Sequence, residues 1–156
     1  MIVSCIICIC LSTTGIVRRA PPESIVAFQA AKIAEQTSIG VNQNILFEKV
    51  NLNIGNGYHP QHGIFIVPQS GIYSITATVL HRNQADHTYF HGAIVHQGVV
   101  VAKLHGEYGE WEASTQSVLI QANAGDEIWV RNVGPSNEDI FGDYFSTFSG
   151  YLIWDI

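Results

Sequence analysis

The chain has 156 residues, is 47% apolar, and carries a formal charge of −6 from 13 acidic and 7 basic side chains. That balance excludes intrinsic disorder and gives nucleic acid no basic cluster beyond Arg18-Arg19. The length suits one domain whose core can stand without disulfides.

The chain opens on an apolar run over residues 2–11, IVSCIICICL, followed by Ser12, Thr13, Thr14 and Gly15. The run is too short to span a bilayer and is similar to the apolar region of a secretory signal. Residues 1–20 are therefore expected to be a signal peptide and short linker, with a globular domain over 21–156. The mature chain should begin between Ile16 and Pro21 and be extracellular. All three cysteines, Cys5, Cys8 and Cys10, fall in this leader, so the domain has no disulfide framework and no cysteine zinc site. It has no Asn-x-Ser/Thr sequon, no Gly-x-y repeat and no heptad run.

Residues 21–24 form a linker. Residues 25–36 are ambiguous: their Ala and Gln content tolerates a helix, while Val26, Phe28 and Ala30 alternate as in a strand. A polar loop is expected over 38–44, a strand over 45–50 and an Asn- and Gly-rich turn over 53–57. Ile64-Phe65-Ile66-Val67 reads as a strand buried on both faces or closing a core, and Pro68-Gln69-Ser70-Gly71 as its turn. Tyr73, Ile75, Ala77 and Val79 then share one face of a strand, with Ser74, Thr76 and Thr78 on the other.

After a polar connection over 82–87, strands over 89–96 and 98–104 pair about Gln97-Gly98. Residues 105–112 read as an acidic loop, 115–122 and 127–133 as strands, and 134–144 as a long polar loop. In the closing strand Phe148, Gly150, Leu152 and Trp154 share a face. Gly150 leaves room for a close neighbour. Short strands separated by regular turn signals indicate an all-β sandwich or barrel.

Phe47, five residues, Asn53, four, Tyr58, six, Phe65, five, then Gly71-x-Tyr73: this spacing resembles the signature of the complement C1q globular domain. Gly125-Asp126-Glu127-Ile128-Trp129-Val130 is similar to the family's penultimate strand, and residues 146–152, STFSGYL, to its last. The chain departs at Ile75 and Ala77, where the family carries aromatics, which implies a locally different core packing. The resemblance covers about residues 26–156. It implies a jelly-roll β-sandwich of about ten strands in two sheets, of C1q/TNF-like type, and a strand rather than a helix in 25–36.

It also implies a secreted, stalkless binding module, a homotrimer or a heterotrimer with related C1q-like chains. The expected role is that of a lectin-like pattern-recognition protein of innate immunity, binding microbial or cell-surface glycans through loops at the trimer apex. The alternatives are a TNF-like or cerebellin-like ligand for a protein receptor, and a structural extracellular protein.

Chemistry-bearing motifs are few. The seven histidines form no His-Glu-x-x-His run, and no Gly-x-Ser-x-Gly elbow occurs, so no enzyme is expected. His59 and His62 flank Pro60, and His87 and His91 are placed to share a face. Glu107, Glu110 and Glu112 gather hard oxygen ligands in one loop, a composition suited to calcium. Through the resemblance, Glu112 matches an acidic ligand position, with Glu107 or Glu110 supplying another. Tyr108 and Trp111, in the same stretch, are the ligand-binding aromatics, since a ring beside carboxylates can stack on a sugar and accept its hydroxyls. Tyr58, Phe65, Tyr73 and Trp129 are expected in the core or an interface.

Overall fold

The computed structural model describes residues 25–82, 89–107, 111–134 and 137–156. Their elements are all strands: β1 (Ala27–Ala31), β2 (Gln36–Ile39), β3 (Lys49–Ile54), β4 (Tyr58–His59), β5 (Ile64–Ile66), β6 (Gly71–Arg82), β7 (Tyr89–His96), β8 (Val99–Glu107), β9 (Glu112–Ala122), β10 (Glu127–Asn132), β11 (Glu138–Ile140) and β12 (Thr147–Asp155). One seven-stranded sheet runs β2-β11-β6-β12-β1-β3, with β9 on the other edge of β6. A five-stranded sheet runs β4-β5-β10-β7-β8. All the pairings are antiparallel, and the two sheets close over one core as a jelly-roll sandwich. The strands number twelve, against the ten or so expected, because β4, β5 and β11 are pieces of two or three residues.

The alternation in β6 decides the architecture. Tyr73, Ile75, Ala77 and Val79 are fully buried, and the residues between them face out. β12 lies beside them with Phe148 opposite Ala77 and Gly150 opposite Ile75. A Cβ on Gly150 would overlap the side chains of Ile75 and Phe28, so the glycine is where the aromatic core comes closest to the sheet. Phe28 stacks on Phe65 at 4.4 Å and Tyr58 at 5.2 Å, and meets Phe148 edge-on at 4.9 Å.

The spaced residues around β3 to β6 each have a mechanical task. Asn53 acts as a substitute strand: its side chain accepts from the Tyr58 N–H and donates to the Tyr58 carbonyl, both at 3.0 Å. The Tyr58 hydroxyl donates to the Phe47 carbonyl at 2.9 Å, and that of Tyr73 to Gln69 at 2.6 Å. Gly71 lets the backbone of Trp154 pass where any Cβ would collide. The Gln97-Gly98 turn has positive φ at both residues, 50° and 83°, the left-handed pair that a two-residue hairpin needs.

Several expectations need correcting. Within 25–36 the expected strand is the shorter β1; β2 begins at Gln36 and takes up part of the expected 38–44 loop. The strand expected over 45–50 starts later and is β3. In β5, Phe65 is buried and Ile66 exposed, so that strand is covered on one face only. Residues 134–144 are not all loop: β11 is buried although it reads Glu-Asp-Ile, because it is walled between β2 and β6, and Asp139 accepts the Ser38 N–H at 2.8 Å. Trp154 does not share the inward face. The register of β12 shifts between Leu152 and Trp154, and Trp154 is 66% exposed. Trp129 lies on the outward side of β10.

Candidate functional site

Both described chain ends lie at one end of the sandwich, where Leu152 donates to the Val26 carbonyl and Ile156 to that of Ser70. The opposite end gathers the close of β6, the start of β9 with Trp111 before it, and the segment between β11 and β12. There Trp111 meets Phe141 edge-on at 4.7 Å, and Phe141 lies 6.2 Å from Phe145. Trp111 is 48% exposed, and Phe145 and its chain neighbour Tyr144 are exposed as well. This end is an aromatic platform open to solvent.

The platform is held by its backbone. Asp143 and Tyr144 are both left-handed, with φ of 50° and 65°, an uncommon state for a bulky side chain. Their N–H groups donate to the carbonyls of Ile33 and Lys32 at 3.0 and 2.9 Å. Gly142 is forced, since a Cβ there would strike the Ile33 carbonyl. The buried Ser146 hydroxyl accepts from the Leu80 N–H and donates to the Phe141 carbonyl. Beneath the turn, residues 32–34 are fixed in their own right. The Lys32 ammonium donates to the Leu46 carbonyl at 2.9 Å, and the Glu48 carboxylate accepts the N–H groups of Ile33 and Ala34. Burial lowers the Lys32 pKa, an effect that Glu48 opposes.

Of the expected site residues, Trp111 is in this platform. Tyr108 and Glu110 lie outside the described residues. Glu107 and Glu112 are not in a loop: Glu107 ends β8 opposite Tyr89, and Glu112 begins β9 opposite His81. By strand alternation Glu107 is on the outward side of the five-stranded sheet and Glu112 on the inward side of the other. Among the described residues, no three His, Cys, Asp or Glu side chains come together as a metal site requires. His87 also lies outside the described residues. The sequence reading passed over Phe141, Tyr144 and Phe145, although three aromatics within five residues of a supposedly polar loop were a usable signal.

An open cavity of about 180 Å³, lined by Gly55, Gly57, His59 and Pro68 among others, lies at the chain-end side. Besides backbone and apolar carbon, its lining has two polar residues, Asn56 and His59. The outward face of the seven-stranded sheet divides in two. Towards the platform it is hydroxylated, with Thr76 bonded to Ser117 at 2.7 Å and Thr78 to Thr115 at 3.0 Å. Towards the chain ends it is apolar: one rung reads Ile54, Ala27, Tyr151, Ser74, Leu119, and the next brings Trp154 beside Ile72. Leu119 is 67% exposed.

A family model for the C1q domain matches residues 27–153. Complement C1q tumor necrosis factor-related protein 3 of Mus musculus and its Homo sapiens counterpart are each 30% identical over 139 residues, covering 86% of this chain and 54% of theirs. Multimerin-1 of Mus musculus is 30% identical over 145 residues, covering 90% of this chain but 11% of its own. The chain thus spans about half the length of the first two relatives. Among solved structures, the globular domain of zebrafish complement 1qA superposes with a TM-score of 0.69 at 12% identity, covering 84% of this chain and 99% of that one. Eiger TNF from S. frugiperda gives 0.71 at 10% identity, covering 85% and 95%. At these identities the structural likeness is one of fold.

Proposed function

The chain belongs to the C1q domain family, and we propose that it works as a secreted, trimeric, lectin-like recognition module that binds glycan-bearing surfaces through its aromatic end. The observation that carries this reading is the pair of exposed rings, Trp111 and Phe145, that lie near Phe141, with Tyr144 exposed next to Phe145 in the chain, at the end of the sandwich remote from both described chain ends. A folded domain gains no core from rings in that position. A fixed aromatic surface is what the apolar face of a sugar ring stacks on. The strained turn that presents Tyr144 fits a role in binding, since such backbone persists where the surroundings enforce it.

One open platform should hold one sugar weakly, with Kd of about 1 mM, or about 4 kcal/mol. Three copies in one rigid trimer make later contacts intramolecular and raise avidity by about 10²–10⁴ on a repetitive surface. The apolar rungs of Tyr151, Leu119 and Trp154 supply the surface such a trimer would bury.

The test is a glycan array of wild type and Trp111→Ala, followed by binding to the best hit as free sugar and as the same sugar dense on beads. Dense display should win by about 10²-fold or more, and Trp111→Ala should lose the signal. Equal affinity for both formats, or a Trp111→Ala protein that binds normally, overturns the reading. Selective capture of a cell-surface protein with a blank array favours a receptor ligand instead. Repeating the array with a chelator reports whether Glu112, with Glu107 or Glu110, holds calcium.

A further inference from the structure

The outward face of the five-stranded sheet carries a second feature, independent of the aromatic end. At its β7–β8 edge, His91 stands directly opposite His105. The rungs on either side, Phe90 with Gly106 and Gly92 with Leu104, are buried. Both imidazoles therefore project outward. Their ring centroids are 5.0 Å apart and their planes 44° from parallel, so they are not stacked flat on each other. Tyr89 lies 4.5 Å from the His91 ring and 6.4 Å from that of His105. His105 is exposed and His91 half-buried, so this rung opens to solvent.

We propose that His91 and His105 form a two-point surface chelate for a divalent transition metal, Zn²⁺ or Cu²⁺. Two imidazoles that share such a metal hold their nitrogens about 2.1 Å from it, and a tetrahedral angle then puts the ring centroids about 5 Å apart. The pair already stands at that separation. The β7–β8 ladder fixes both backbones, so binding asks only for rotation of the rings. Imidazole nitrogen suits zinc, copper and nickel, whereas calcium takes oxygen. No third His, Cys, Asp or Glu completes the set among the described residues. The metal is therefore exchangeable, and its remaining positions go to water or to a donor from another molecule.

The two rings are contacted by each other and by Tyr89, whereas the His96 ring is bonded to Asp126. An imidazole must be neutral to act as a ligand. His91 is held below the usual histidine range, first by desolvation and then by the positive charges of His105 and Lys103, which keeps its lone pair available. The outward groups around the pair are Tyr89 and Glu107 in one neighbouring rung, and Ala93 and Lys103 in the other with Arg131 beyond. Lys103 opposes a cation, but it is exposed and its flexible stem lets the ammonium turn to water. Tyr89 packs on the His91 ring and limits its swing.

The experiment follows the ring-proton NMR signals of His91 and His105 as zinc chloride is added, with calcium chloride as the control. Both rings should shift together and saturate below about 1 mM zinc, while calcium moves neither. His91→Gln and His105→Gln should each weaken binding, read from the ring that remains, by about tenfold or more, because a chelate becomes a single ligand. His105 is exposed, so His105→Gln carries the test even where His91→Gln disturbs the fold. Sedimentation with and without zinc identifies the other ligands. A mass that doubles assigns the open positions to the same pair on a second copy, and an unchanged mass assigns them to water; both support the site. Rings that shift at different zinc concentrations, calcium acting as zinc does, or His105→Gln binding as wild type overturn it.

Discussion

Phe148 sits among three aromatic rings, 4.9 Å from Phe28, 5.7 Å from Phe47 and 6.1 Å from Tyr58, with no exposure. The surrounding rings are tied down by backbone pairing, so a truncation there leaves a cavity that cannot collapse. Phe148→Ala should cost about 3–5 kcal/mol, and Tyr73→Ala a similar amount. Urea unfolding checks this, and unchanged midpoints would mean that the faces of β6 and β12 are assigned wrongly. The burial of both residues was legible from alternation alone. The same parity placed Trp154 inside, and there it failed. A register shift is a local backbone event, and nothing in the pattern of apolar residues marks where the extra residue, Ile153, enters the strand.

Turns and connections divide into those the sequence marks and those that tertiary contacts impose. Gln97-Gly98 and Gly125 announce themselves, because a glycine at positive φ has few other reasons to be there. The 141–146 turn does not, since its left-handed residues are an aspartate and a tyrosine. Replacing Tyr144 with glycine should relieve about 1 kcal/mol of backbone strain. Tyr144→Gly is therefore expected to melt no lower than wild type while binding its surface ligand more weakly. A lower melting temperature would show that the ring, rather than the backbone, stabilises the turn.

The β9–β10 turn makes a separate prediction about acid. The Asp126 carboxyl is held below its ordinary range by the Asn123 N–H and then by the His96 ring. A depressed carboxyl contributes stability above its unfolded pKa of about 4 and loses it as pH falls through the folded value. Between about pH 5 and 2 the melting temperature of wild type should fall more steeply than that of Asp126→Asn. Parallel curves would mean that the bonds to Asn123 and His96 do not favour the ionised form.

For the molecule as a whole, the all-β sandwich was readable because its signature residues are mechanical: each of Phe47, Asn53, Tyr58, Phe65, Gly71 and Tyr73 packs or bonds at a fixed place. The surface was less readable, since exposure depends on which strands end up beside one another. The apolar rungs on the seven-stranded sheet are such a case, and they lead to a prediction about assembly. Leu119→Asp should convert a trimer to a single chain in sedimentation without lowering the melting temperature of the dilute protein, because Leu119 is exposed in the lone sandwich. A wild-type mass equal to one chain would end the trimer reading.

The placement of Val26 and Ile156 at the same end of the sandwich has a practical consequence. A protein anchored to a sensor chip by a tag after Ile156 would stand with Trp111, Tyr144 and Phe145 pointing into the flow. Anchored through a cysteine introduced at Tyr144, it would lie face down with those rings masked. Comparing the two orientations on one chip separates what the far end recognises from what the flanks recognise, and no residue of either surface has to be altered in the first.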